Sequence, residues 1–303
     1  MYRHGAPTVS AKLSWADACH AQGGTVVLPH MPNPNAEPAA LIATGRVDAV
    51  EMFVQGGYQH NEYYRYLNCG YKLPLVGGTD KMSSDVPVGI YRTYAFIPND
   101  RPFTYDNWCD AVKGGRTFLS GGPMIGLTVN GSEIGQTVNL SGNGGTVDVE
   151  AWAESIFPIN TLQIVHEGRV VASTTDTQGA RRLELKERIK IDQHTWLAAR
   201  CGGPEYQGLT HHDGWQRGIF AHTSPIYVAV GGAWWMFDTD TAQYMLTLVD
   251  GSLEHIRQSS AHYADDDVTH HHGQHDHLAY LEDPLHQAVA AIHKRMHQLG
   301  IKH

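Results

Sequence analysis

The chain has 303 residues, 42% of them hydrophobic and 17% charged, with a formal net charge of −9. That length buries a real core in about two domains, and the composition is that of an ordinary soluble globular protein. The acidic balance, with no basic stripe to offset it, excludes a nucleic-acid partner, and no apolar run is long enough to anchor the chain in a membrane. The opening Met1-Tyr-Arg-His-Gly-Ala-Pro lacks the apolar core of a signal peptide. Cys19, Cys69, Cys109 and Cys201 are scattered without a CxxC pair, so reduced thiols in a cytoplasmic protein are expected.

In chain order, Leu13, Trp15, Ala16 and Cys19 give a helical pattern, with Ser14 as its candidate N-cap. An apolar run, Thr25-Val-Val-Leu28, follows and ends in Pro29 and His30. The three prolines of Met31-Pro-Asn-Pro-Asn-Ala-Glu-Pro38 demand a stiff loop. A short helix over 39–44 leads into a strand over 47–53, where Glu51 points opposite to Val50 and Met52. A tyrosine-rich helix over 61–70 precedes a second apolar run, Leu73 to Val76, ending in Gly77-Gly-Thr-Asp80. A strand over 88–97 and a helix over 105–113 complete an alternation that belongs to a parallel α/β sheet.

From residue 121 the pattern changes to short alternating strands separated by turns. Asn130-Gly131 is a type I′ signal, and His166-Glu-Gly-Arg169 is a second hairpin turn. Separate strands are expected over 147–153, 161–166, 183–191, 195–200 and 226–230, which suggests a small antiparallel β-sandwich. After Gly231-Gly232 helical spacing returns, and a final helix is expected to follow Pro284. The organisation is therefore α/β over 1–120, a β-sandwich over 121–231 and a helical C-terminal segment over 232–303.

Both apolar runs deliver a residue able to bind a metal to the C-terminal end of a strand, where α/β folds carry their chemistry. His30 is either such a ligand or a histidine bonded to backbone, and Asp80 either a ligand or a turn or N-cap residue. Glu51 is a carboxylate that orients a ligand or an exposed strand residue. Lys81 and Arg92 are anion partners near a metal or surface charges. Asn68 is read as a helix cap with Gly70, Tyr58, Tyr63, Tyr64 and Tyr66 as packing, and His222 as structural support. Histidine is abundant, at 20 residues, and His270, His271, His272, His275 and His277 read as a solvated loop beside acidic residues.

In order, Gly23-Gly-Thr-Val-Val-Leu-Pro-His30, Gly45-Arg-Val-Asp-Ala-Val-Glu51, Leu67-Asn-Cys-Gly70 and Gly78-Thr-Asp-Lys-Met82 resemble the PHP (polymerase and histidinol phosphatase) superfamily, in particular the CehA/McbA-type metallohydrolases. Val88 to Tyr94, Gly115 to Pro123, Trp196 to Arg200 and Ala221 to Pro225 are similar to the same group. The resemblance implies a distorted (β/α) barrel with divalent metals at its strand ends, and residues 1–120 correspond to its C-terminal half. His30 and Asp80 match metal ligands; position 82, where many members place a histidine, is Met. The family's opening His-x-His and Thr-Asp-His-type motifs do not occur in these 303 residues, so a truncated form is expected.

The function this implies is metal-dependent hydrolysis of an ester, amide or phosphoester in a small-molecule substrate, with zinc, manganese or iron as cofactor. Glu51, Lys81 and Arg92 would tune the site, and an oligomer or a complementing chain would supply missing ligands. The alternative is a non-catalytic binding or structural module centred on the β-sandwich, with a vestigial metal site.

Overall fold

The computed structural model describes residues 9–31, 36–54, 57–58, 60–79, 81, 84, 87–203, 218–260 and 277–301. It combines helices with a parallel and a largely antiparallel sheet, and the chain divides into two compact units. One comprises residues 1–26, 33–47 and 238–303; the other comprises 27–32 and 48–237. The three consecutive segments expected from sequence are thus cut differently, because helices from both ends of the chain share one apolar interior. Among the described residues no helix is long and apolar enough to cross a membrane.

The helical unit contains α1 (Val9–Ala21), α2 (Ala36–Ala43), α5 (Thr239–Ser260) and α6 (His277–Gln298). Met245, Leu246, Val249 and Leu253 of α5 are buried at helical spacing, as are Leu285, Ala288, Ile292 and Met296 of α6. Asp238 starts α5, its carboxylate accepting from the Thr241 N–H and hydroxyl. Arg46 grips Asp17 with two hydrogen bonds of 2.8 and 3.1 Å.

Two expectations fail in this unit. Ser14 lies inside α1 and caps nothing, since the helix begins at Val9. Pro284 lies inside α6, which starts at His277. The proline gives up one internal hydrogen bond but is itself buried, so packing outweighs the lost bond. Of the histidine cluster, His277 opens α6, whereas His270, His271, His272 and His275 lie outside the described residues.

The second unit begins with a three-stranded parallel sheet in the order β1 (Val27–Leu28), β2 (Ala49–Glu51), β5 (Leu75–Val76). Val27 pairs with Ala49, and Val50 with Leu75, so all three strands end on one side. β3 (Phe53–Val54) and β4 (Gly57–Tyr58) form a small antiparallel ribbon. The strand expected over 47–53 is thus shorter and broken at Met52. Two helices belong to this unit, α3 (Asn61–Asn68) and α4 (Tyr105–Lys113); Thr104 caps α4 by accepting from the Asn107 N–H at 3.2 Å.

The large sheet runs β6 (Arg92–Ala95), β7 (Thr117–Ser120), β14 (Phe220–Thr223), β13 (Thr195–Gly202), β11 (Gly145–His166), β8 (Met124–Val129), β9 (Ser132–Glu133). β12 (Arg169–Ile191) pairs with β11, while β15 (Ile226–Val230) joins β13 to β10 (Thr137–Leu140). All these pairings are antiparallel except β10 with β15.

Strands expected to be separate are continuous: β11 and β12 form one hairpin of 22- and 23-residue strands. Between the strands expected over 147–153 and 161–166 the chain runs on, with register shifts between Glu154, Ile159 and Thr161. The bent strand pairs β8 with its first half and β13 with its second. Val147 and Val149 at one end and Leu162 and Ile164 at the other therefore enter one core, with Leu127, Leu197 and Val228. Both expected hairpin turns form. Asn130 and Gly131 have φ of 49° and 77°, and Glu167 and Gly168 have φ of 50° and 86°, as type I′ turns require.

Candidate functional site

The C-terminal ends of β1, β2 and β5 bring His30, Glu51, Gly78 and Thr79 to one side of the parallel sheet. His30 lies two residues beyond the end of β1 and adopts a left-handed backbone, φ 60°. Histidine enters that region more readily than most residues, yet it carries strain that the surroundings must offset. Two hydrogen bonds from the end of β2 do so. The His30 N–H donates to Glu51 Oε2 at 3.1 Å, and the Met31 N–H donates to the Glu51 carbonyl at 2.7 Å.

Glu51 is only 7% exposed, at the end of a strand buried throughout. A carboxylate in that setting needs donors. Its other oxygen, Oε1, lies 2.8 Å from where a Cβ on Gly78 would stand. Any side chain at position 78 would therefore push the carboxylate aside.

Among the described residues β5 pairs with β2 alone, and hydroxyl groups line its other edge. The Leu75 N–H donates to Ser224 Oγ at 2.9 Å, and Thr117 Oγ1 donates to the Leu75 carbonyl at 2.7 Å. The Gly77 N–H donates to Thr93 Oγ1 at 3.0 Å, and the same hydroxyl donates to the Gly77 carbonyl at 2.8 Å. Thr79 reverses the direction: its hydroxyl donates to the Tyr91 carbonyl at 3.2 Å and accepts from Gly89 N–H at 2.9 Å and Tyr91 N–H at 3.4 Å. Residues 75, 77 and 79 alternate as one strand edge does, so the seam follows the period of the backbone. The approach is close enough that a Cβ on Gly77 would lie 3.0 Å from Leu119 Cβ.

The remaining sequence candidates are placed less centrally. Asp80 lies outside the described residues. Lys81 is exposed. Arg92 is exposed, its guanidinium 5.9 Å from the Tyr94 ring. Since Thr93 reaches Gly77, Arg92 and Tyr94 occupy the opposite face of β6, and the structure does not bring Arg92 to Glu51. Among the described residues no three His, Cys, Asp or Glu side chains are grouped as a metal site. His30 and Glu51 still supply one nitrogen and one oxygen donor at adjoining strand ends, the mixed set that suits zinc, manganese or iron. Two such residues are fewer than a metal site needs, and Asp80, next in chain to Thr79, lies outside the described residues.

A second buried cluster, missed in sequence, surrounds His222. This side chain is fully buried; its Nδ1 lies 2.7 Å from the Thr223 carbonyl and its Nε2 2.7 Å from Tyr64 Oη. Since a carbonyl only accepts, Nδ1 carries the proton and Tyr64 donates to Nε2. Arg200 Nη1 reaches Tyr64 Oη at 3.4 Å and its Nε donates to Gln163 at 2.8 Å. Burial above all lowers the His222 pKa to about 3; the Thr223 bond works against this, and the charges of Arg200 and His60 add to it. Burial and then Arg200 lower His60 to about 4. His222, neutral and buried with a partner on each ring nitrogen, is held as a structural imidazole is.

Asn68 is not the cap expected. Gly70 and Tyr71 close α3 by donating to Leu67 and Tyr66 at 2.9 and 3.1 Å, which frees the Asn68 amide to accept from Trp196 Nε1 at 2.8 Å. Tyr63, Tyr64 and Tyr66 are buried, as packing residues are; the Tyr58 side chain is outside the described set.

No known protein family and no curated protein matches the chain. Among solved structures it is similar to fibronectin(III)-like modules of Clostridium thermocellum CbhA, at 13% identity over 34% of this chain and 93% of that one, with a TM-score of 0.22. It is also similar to a lytic polysaccharide monooxygenase of Jonesia denitrificans, at 12% identity over 50% and 84%, with a TM-score of 0.21. Likenesses this slight transfer neither fold nor activity.

Proposed function

We propose that the parallel sheet is part of a PHP-type barrel and that its strand ends form one side of a divalent-metal site in a hydrolase. The observation that carries this reading is His30, held in a left-handed conformation by the buried Glu51 carboxylate. Strained backbone fixed by a buried acid is the kind of feature that folds retain for a site rather than for stability.

In this reading His30 and Asp80 hold the ion, and Glu51 fixes the His30 backbone and tunes the site with its carboxylate. The ion supplies Lewis acidity toward the scissile ester, amide or phosphoester and lowers the pKa of a water. Lys81, next to Asp80 in the chain and exposed, would offer a cation to an anionic substrate group. Arg92, on the far face of β6, is left out of this role. A complementing chain or an upstream segment would complete the coordination that two or three donors leave open.

The test is metal content of the full chain after chelator stripping and reloading with zinc, manganese or iron(II). Stoichiometric metal in wild type, lost in His30→Ala and Asp80→Ala, supports the site. Metal absent from wild type, or retained equally in both variants, overturns it and returns the chain to the reading of a non-catalytic module built on the large sheet.

A further inference from the structure

Independently of the strand-end residues, we infer that the outer face of the large sheet binds a neutral saccharide chain, on a platform centred on Trp152. The rings it would take are pyranoses with equatorial hydroxyls.

Side chains of β11 alternate: Ala151 and Ala153 enter the core, while Glu150, Trp152 and Glu154 are exposed. A large indole, 38% exposed between two carboxylates, is costly on that face. Its neighbours in register are Gly126 on β8 and Glu184 on β12. The ring lies across the glycine, where a Cβ would collide with Trp152 Nε1 and Cε2. Strand stability alone would favour a β-branched residue at 126; glycine gives that up and lets the ring lie flat on the backbone. Arg182 Cζ is 5.7 Å from the ring centroid, about 2 Å beyond stacking contact, so the guanidinium borders the ring without packing on its centre.

The border is polar and fixed. Arg182 Nε donates to Glu184 Oε1 at 2.8 Å and its Nη1 donates to Glu154 Oε2 at 2.7 Å. Among the described residues, Glu154 Oε1, Glu184 Oε2 and the indole N–H make no hydrogen bond. A pyranose with equatorial hydroxyls offers a flat C–H face to an aromatic ring and a rim of hydroxyls that both donate and accept. That rim suits two carboxylates, a guanidinium and an indole N–H around one flat ring. With two acids to one base the border is acidic, which selects neutral sugars over phosphorylated or sulfated ones.

The experiment is affinity electrophoresis of the full chain in native gels containing hydroxyethylcellulose or xylan, with melting temperatures measured alongside. Wild type is expected to be retarded by at least one polymer. Trp152→Thr removes the ring and Gly126→Val lifts it; both new residues favour strands, so the fold is kept. Each should weaken apparent affinity about tenfold or more. Trp235→Ala, which removes another exposed tryptophan of the same unit, should stay within about threefold of wild type. The inference is overturned if neither polymer retards wild type, if Trp152→Thr migrates as wild type does, or if Trp235→Ala weakens binding as much. A wild-type dimer abolished by Trp152→Thr, with no retardation, would assign the face to a second copy instead.

Discussion

The two sheets of the larger unit are held in opposite ways. The antiparallel sheet has strands of up to 23 residues that satisfy their backbone through their own ladders. Its outer strand β12 is guarded by charge: Arg182, Lys186 and Arg188 stand in register with Glu154, Glu150 and Asp148 and form ion pairs with them. The parallel sheet has strands of two or three residues, an edge closed by four hydroxyl-bearing side chains, and a strained His30 at its rim. The first is a self-sufficient scaffold. The second depends on individual side chains at the margin of a rigid frame.

The largest effects belong to the interior shared by the large sheet and α3. Trp196 is fully buried, lies with its ring tilted 44° and 5.0 Å from the Tyr64 ring, and donates to Asn68. Trp196→Ala is expected to cost about 3–5 kcal/mol, as deletion of a buried aromatic does, measured by urea unfolding. An unchanged midpoint would mean that this interior does not carry the scaffold.

Next comes acid sensitivity. His60 and His222 are neutral in the fold, with pKa values lowered to about 4 and about 3, whereas in the unfolded chain they titrate near about 6.5. Below that value the unfolded state binds protons that the native state refuses, so their contribution is complete above about pH 6.5 and lost progressively toward pH 4 and 3. At pH 4 the His222 share is about 3 kcal/mol. His222→Gln should cost stability at pH 8 yet flatten the decline between pH 6.5 and 4. Parallel curves for the two proteins would refute this assignment.

The parallel sheet should give smaller changes that separate stability from binding. At a left-handed position glycine avoids the steric cost that alanine meets, about 1 kcal/mol. His30→Gly should therefore be about 1 kcal/mol more stable than His30→Ala in urea, while both lose metal. Equal stability would show that residue 30 is not held at positive φ in solution.

How much of this was legible in sequence follows the same division. Strand-end placement was expected of His30 and Asp80, from short apolar runs broken by proline or glycine; the structure puts His30 just past β1, Asp80 lies outside the described residues, and Glu51, expected inside a strand over 47–53, ends β2 instead. The Asn130-Gly131 and Glu167-Gly168 turns were legible because type I′ geometry admits few residues. The continuity of β11 was not legible: strands were expected to end at 153 and restart at 161, and only the pairing with β12 shows one bent strand with register shifts between Glu154 and Thr161. The hydroxyl seam and the His222 cluster were invisible. Thr79, Thr93, Thr117 and Ser224 meet from distant positions in the chain, and a threonine in a strand carries no mark of its partner. For Arg92 the sequence left anion partner and surface charge open, because a residue's face on β6 depends on which neighbour reaches Gly77; Thr93 does, and Arg92 is exposed.

The smallest effect tests the scaffold side of the comparison. Lys186 and Glu150 face each other across β11 and β12, 2.9 Å apart, with side chains 69% and 56% exposed. Exposed pairs gain little, because water screens the attraction and two long side chains lose freedom. Lys186→Ala should shift stability by less than about 0.5 kcal/mol, and less still in 1 M salt. Its larger consequence should be in association: removing charge from an edge strand exposes backbone that another strand can pair with. Increased oligomer in light scattering, with unfolding barely changed, would mean that the ladder protects the edge rather than stabilises the fold. A cost of several kcal/mol would reverse that view and make the charge ladder, like the hydroxyl seam, part of what holds its sheet together.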